Sequence, residues 1–333
     1  MRGGKHPSFP RVPAGMYGMV LGLAGLGGDW RLAHELWDLP AMIGEAVNVV
    51  AICVWAVVSF FFAAKWIFAR EEAMEEAEHP VHCCFIGLAG VATMLVGRAV
   101  LPYSRSVALV LLVLGIGFSI AFATWRTGLM WRGGRDHEST TAILYLPTVA
   151  GSLVSALVLG SFGYTALAQL LFGAGMFTWA ATESVLLQRL LTAPEMALPL
   201  RPTLGILLAP PAVACAAYLS LTSGPPDLFA NGLLGYSLLQ VALLIRVTPW
   251  IMKQPFAPSY WAATLGTTAL AAASMRMVSR GGDSIGAQLA PYLFFFANVL
   301  VGAIAVGTIA LLVKGRLLPT SHLRAAESLN EEA

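Results

Sequence analysis

Apolar residues fall into ten long runs along this chain, each broken by charge, proline or glycine. The runs cover residues 14–28, 40–68, 83–101, 107–130, 142–160, 164–191, 203–221, 228–252, 260–278 and 286–313. Most reach the ~20 residues that a helix needs to cross a bilayer. The first is short and rich in glycine, with room to extend toward Leu36 past Asp29 and Arg31. The pattern predicts an all-α polytopic membrane protein with ten transmembrane helices.

The runs alternate in character. Odd ones are shorter and richer in Gly, Ala, Ser, Thr and Pro; even ones are longer and richer in Leu, Val, Trp and Phe. Connections after odd runs are short, and Gly160 to Tyr164 is nearly a bare turn. This predicts a helical hairpin repeated five times at a period of about 60 residues, in hydropathy rather than in sequence identity. Small residues let helices approach closely. Pro147 and the pair Pro210-Pro211 fall mid-run in odd helices. Irregular backbone at that depth is tolerated only inside protein or against water. The expected arrangement therefore places the five odd helices inside, around a solvated path, and the five even helices outside toward lipid.

Composition agrees with oil as the solvent. Of 333 residues, 57% are hydrophobic and 11% charged, where soluble domains carry about 25% charged residues. Of the 20 Lys and Arg, fifteen lie at the N-terminus, after even runs or in the C-terminal tail. The remaining five are Arg31, Arg98, Arg105, Arg276 and Arg280. The positive-inside rule then puts both termini in the cytoplasm. The expected organisation is a cytoplasmic segment over 1–12, a membrane domain over 13–316 and a cytoplasmic tail over 317–333, in the cell inner (plasma) membrane. Residues 1–11 show no cleavable signal peptide. The net charge of +2 and the lack of a basic tract argue against a nucleic-acid partner.

Candidate chemistry is sparse. Cys53, Cys83, Cys84 and Cys215 sit in apolar stretches without a CxxC pair and read as small buried hydrophobes. His79, Pro80 and His82 read as a turn before the third run rather than a metal site. His137 and Glu138 read as a solvated loop, and the glutamates between Glu71 and Glu78 as a solvated helix end. No catalytic motif appears, so neither enzyme activity, metal nor cofactor is expected. The odd runs as drawn hold no mid-span ionisable group; Arg98 and Arg276 lie toward their outer ends. A path without a proton relay fits passive flow better than coupled transport. Glu183 and Arg246, in the sixth and eighth runs, are expected to form a structural ion pair or to snorkel rather than to take part in transport chemistry.

Several segments resemble one family in the right order along most of the chain. They include Pro13-Ala-Gly-Met-Tyr-Gly, His79-Pro80-Val81, Tyr145-Leu-Pro-Thr-Val-Ala, Leu171-Phe-Gly-Ala-Gly-Met, Gly205-Ile-Leu-Leu-Ala-Pro and Pro249-Trp250-Ile251. The chain thereby resembles the TehA-type tellurite-resistance proteins, the plant slow anion channels and the C4-dicarboxylate (malic acid) transporters. The resemblance implies five tandem hairpins, a pore inside the odd helices, a homotrimer, and passive permeation of chloride, nitrate or similar small anions. The alternative it leaves open is secondary transport or export of C4-dicarboxylates or tellurite-like oxyanions. It also implies a phenylalanine plug in the ninth helix. Here that position is Leu265, within Trp261-Ala-Ala-Thr-Leu265-Gly266. Leucine is smaller but still apolar, so a closing constriction is expected without a swinging ring. Gly15, Gly22, Thr93, Pro147, Thr148, Thr203, Pro210, Thr264 and Gly266 are the expected pore-lining neighbours.

Overall fold

The computed structural model describes residues 11–134, 136–281 and 284–318. The described residues form helices and connecting turns, with no strand. Most of the expected segments at 1–12 and 317–333, and the side chain of His137, lie outside the described residues.

Eleven α-helices follow in order: α1 Tyr17–Trp37, α2 Ala41–Phe68, α3 Arg70–Glu78, α4 Leu88–Val100, α5 Arg105–Met130, α6 Gly151–Phe162, α7 Thr165–Thr192, α8 Ala209–Leu221, α9 Leu228–Ile251, α10 Thr264–Ser279 and α11 Ile285–Val313. Eight segments are long and apolar enough to cross a membrane, and the protein is a multi-pass membrane protein. The first and ninth expected spans fall outside those eight. Helix α1 carries Asp29, Arg31 and Glu35 among its glycines, and α10 has 16 residues.

Five helices form an inner ring. Contacts run from α1 to α4, α4 to α6, α6 to α8, α8 to α10 and α10 back to α1. Each inner helix makes a hairpin with the long helix that follows it: α2, α5, α7, α9 and α11. Each of those outer helices also touches the next inner helix round the ring. Burial separates the layers. In the most apolar stretch of Leu198–Leu221, 83% of residues are buried, against 22% in Ala41–Phe68. Phe60, Leu170, Phe177 and Phe295 on the outer helices stay exposed, a surface that needs lipid rather than water.

The two layers begin differently. Outer helices start from tight turns, three of them with side-chain caps. Ser104, Asp227 and Ser284 accept from the backbone N–H groups of Val107, Ala230 and Ala287, satisfying donors that a helix start leaves open. Inner helices start instead from irregular lead-ins: the 3-10 turns Ala14–Met16, His82–Gly87, Leu198–Leu208 and Pro258–Ala263, and for α6 the π turn Leu146–Ala150. A proline sits in or just before every one: Pro13, Pro80, Pro147, Pro199 and Pro258. Proline has no N–H to give, so it suits the first turn of a helix better than its middle. Pro147 and Pro210-Pro211 stand where an irregular lead-in passes into regular helix, the latter pair opening α8 midway along the apolar segment Leu198–Leu221.

Glycines set the closeness of the ring. A Cβ on Gly22 of α1 would stand 2.4 Å from Thr264 Oγ1, and one on Gly266 of α10 would stand 2.8 Å from the backbone nitrogen of Ala209. Both seams depend on a missing methyl group.

Candidate functional site

The five lead-ins gather at one end of the ring, here called the terminal face, and enclose a cavity of about 420 Å³. Pro13 and Leu317 both line it, so the two ends of the described chain meet at its mouth. The mouth carries polar groups: Glu76, His82, Gln254, Ser259 and Arg316. Glu76 accepts from the backbone N–H of Ala14 at 2.8 Å and from Lys65, and Arg11 pairs with Glu72 at 2.7 Å. The glutamates of α3 thus fasten the first lead-in to α2, beyond being a solvated helix end.

All five inner helices run away from this mouth. The lining residues furthest along them are Leu21, Leu88, Val154, Val213 and Leu265. The deep end of the cavity is thus a ring of aliphatic side chains, one from each inner helix. Leu265 is 9% exposed and occupies the second position of α10. Thr264 beside it and Thr267 and Thr268 past it are buried, their hydroxyls donating to the backbone carbonyls of Trp261, Ala263 and Thr264, and Ser274 further along is buried with its hydroxyl unpartnered among the described residues. The residues lining this deep end carry neither a nucleophile nor a base among the described residues.

Of the residues expected along a path, Gly15, Pro210 and Leu265 belong to the cavity wall. Pro147 is buried beside the wall residues Leu146 and Val149, and Thr148 lies half-buried away from the cavity. Gly22 and Gly266 are in the helix seams described above. Thr264 is fully buried and donates to the Trp261 carbonyl at 2.7 Å. Thr203 donates to Leu200 O at 2.6 Å inside its own lead-in. Thr93 faces α2, where its hydroxyl accepts from Trp55 Nε1 at 3.1 Å. Cys83, Cys84 and Cys215 are buried, whereas Cys53 faces outward on α2.

Glu183 finds its partners elsewhere than Arg246. Its carboxylate, 8% exposed, accepts from Trp179 Nε1 at 2.9 Å, Gln240 Nε2 at 3.3 Å, and the hydroxyls of Tyr145 and Tyr236. Arg246 lies on an exposed flank of α9. Four neutral donors do the work expected of one cation, because α7, α9 and the α6 lead-in converge there and the arginine does not reach. Trp179/Glu183 and Tyr236/Gln240 are polar pairs four residues apart on apolar helices; that spacing was the available sign of a shared buried face.

At the far end of the ring, the distal face, helix α1 takes up the extension past Asp29 and Arg31 and continues to Trp37, so Asp29 stands inside an inner helix, 1% exposed. It lies in the electrostatic field of Arg98 and Arg276, in the last turns of α4 and α10. Arg31 makes a two-point pair with Glu45 at 2.8 and 2.7 Å across the α1–α2 hairpin.

A multi-pass helical membrane protein with two layers of helices around a cavity lined largely by apolar side chains is the class these features define. A family model described as voltage-dependent anion channel (SLAC1) matches residues 11–310. The chain is 35% identical to the tellurite resistance protein TehA homolog of Haemophilus influenzae, over 92% of this chain and 93% of that one. It is 22% identical to the guard cell S-type anion channel SLAC1 and to the S-type anion channel SLAH3, both of Arabidopsis thaliana, spanning 56% and 49% of their lengths. The chain belongs to the SLAC1 anion-channel family. The family is of transport rather than enzymatic type, and anion transport is its broad function.

Proposed function

We propose that this protein is a passive channel for chloride, nitrate or similar small anions in the cell inner (plasma) membrane. In this reading the five hairpins cross the bilayer ten times, with both termini in the cytoplasm. The conduction path follows the axis of the inner ring, entering by the terminal-face cavity. The observation that carries the reading is the position of Leu265 at the deep, aliphatic end of that cavity. An anion entering from the polar mouth meets a neck with no charge to replace its hydration shell, so the neck closes the path until the leucine moves. Residues 1–12 and 317–333 flank the membrane domain as cytoplasmic segments. The resemblance drawn from the sequence carries the assembly, a homotrimer with one path per protomer.

A second reading, secondary transport of C4-dicarboxylates or tellurite-like oxyanions, draws on one observation. Asp29 is a buried carboxylate on an inner helix, a kind of group on which coupling can rest. Recording from purified protein in planar bilayers under chloride, nitrate and malate gradients separates the two. Unitary currents reversing at the anion equilibrium potential support the channel. Saturable counterflow without unitary currents supports the carrier.

A further inference from the structure

Three charged side chains meet at the distal end of the inner ring, remote from the neck. Helices α4 and α10 are not neighbours in the ring; α1 stands between them. Arg98 and Arg276, each in the last turn of its helix, nevertheless both lie in the field of Asp29 on α1. Asp29 follows Gly18 by about three turns and returns to within ~20° of its direction, on the side of α1 where Gly22 and Gly25 meet Thr264 and Thr268 of α10. Arg276 follows Leu265 by the same about three turns, ~16 Å further along the axis. The Arg98 guanidinium lies over Gly28, with Nη1 3.7 Å from where a Cβ there would stand.

Other charges at this face are already engaged. Arg31 is held by Glu45. Arg280 donates to the carbonyls of Leu219, Thr222 and Gly224 and to the Thr222 hydroxyl. Glu35 is exposed, where solvent and salt screen it. The side chains of Arg98 and Arg276 make no hydrogen bond among the described residues, and Arg276 Nε is buried without a partner. Asp29 Oδ2 is likewise buried and unpartnered. Two guanidiniums against one carboxylate leave a single positive excess, with unused donors, in a crevice where unsatisfied polar groups are costly.

We propose that Arg98 and Arg276 form a binding site for one small monovalent anion, a halide or nitrate, at the distal end of the axis, and that Asp29 keeps its hold loose enough for release. The proposal rests on the channel reading for its purpose, since conduction needs sites that bind without trapping. Its chemistry stands independently: guanidiniums present forked donors that fit a halide or the edge of a planar oxyanion.

Two measurements test it. In the first, unitary conductance is followed against symmetric chloride concentration. Arg276→Gln should raise the half-saturating concentration several-fold, Asp29→Asn should lower it, and Arg276→Lys, which keeps the charge but loses the fork, should raise it less than Arg276→Gln. In the second, crystals of the full chain are soaked in bromide and anomalous scattering is mapped. A bromide peak within hydrogen-bond distance of both guanidiniums, lost in Arg276→Gln, is expected. Such a peak in a protein that passes no current would sink the channel reading and keep the site. Absence of the peak, or half-saturation unchanged in all three variants of a conducting protein, overturns the site and leaves the channel reading standing.

Discussion

The hydroxyl of Tyr145 donates to the carboxylate of Glu183, joining a residue of the cavity wall to an outer helix. Glu183 accepts three further bonds, from Trp179, Tyr236 and Gln240, so one buried carboxylate holds α7, α9 and the α6 lead-in together. Glu183→Ala removes the acceptor from three buried donors and one half-buried one and should cost ~3 kcal/mol or more of stability. Tyr145→Phe should cost about 1–2 kcal/mol. Arg246→Ala, on an exposed flank, should change stability by no more than about 0.5 kcal/mol. Thermal unfolding in detergent checks all three. Equal losses in Glu183→Ala and Arg246→Ala would restore the ion pair that the spacing of charges suggests.

The α1–α10 seam gives a second prediction. Gly22→Ala sets a methyl 2.4 Å from Thr264 Oγ1 and 2.9 Å from Trp261 Cζ3. Overpacking of this kind should cost about 1–3 kcal/mol. Gly173→Ala on α7, where nothing lies within 4 Å of the new methyl, should be neutral or stabilising by up to ~1 kcal/mol. Melting temperatures of the two variants, compared side by side, decide the matter.

Legibility followed the layers. The outer helices Ala41–Phe68, Thr165–Thr192 and Ile285–Val313 match the expected runs to within a residue or so. They are regular, bounded by charge and turns, and their exposure to lipid makes local hydropathy sufficient. The inner segments were less readable. Their first turns are 3-10 or π because prolines remove donors and because five lead-ins crowd round one axis, which no single segment reveals. Asp29 looked like the end of a span, since a carboxylate in oil is costly. Its burial depends on Arg98 and Arg276, distant in sequence. The apolar Leu265 position was found through the family resemblance, not through any pattern of its own.

Asp227 gives a prediction about acid. It caps α9, accepting from the Ala230 N–H at 2.9 Å and from the Tyr218 hydroxyl. Those bonds, the backbone one first, hold its carboxyl below the ordinary value of 3.8. A value lowered by folding means stabilisation that is complete above the unfolded value and disappears as pH falls through the folded one. The wild type should therefore lose part of its stability below about pH 4 through this group. Asp227→Ala should be less stable than wild type at pH 7, with the gap narrowing as pH falls below that point. Unfolding of both proteins across a pH series reads the difference; a gap that is constant with pH would remove the cap from the account.

The neck at Leu265 is the claim on which the rest depends. In the proposed reading its side chain closes the deep end of the cavity, which Leu21, Val154 and Val213 also line, with no charged residue among those lining it there. The direct test is planar-bilayer recording of Leu265→Ala and Leu265→Gly beside the wild type, with folding confirmed by size-exclusion profile. Anion current should rise several-fold in Leu265→Ala and further in Leu265→Gly, with the reversal potential still following the anion gradient. Well-folded variants with wild-type conductance would contradict the account.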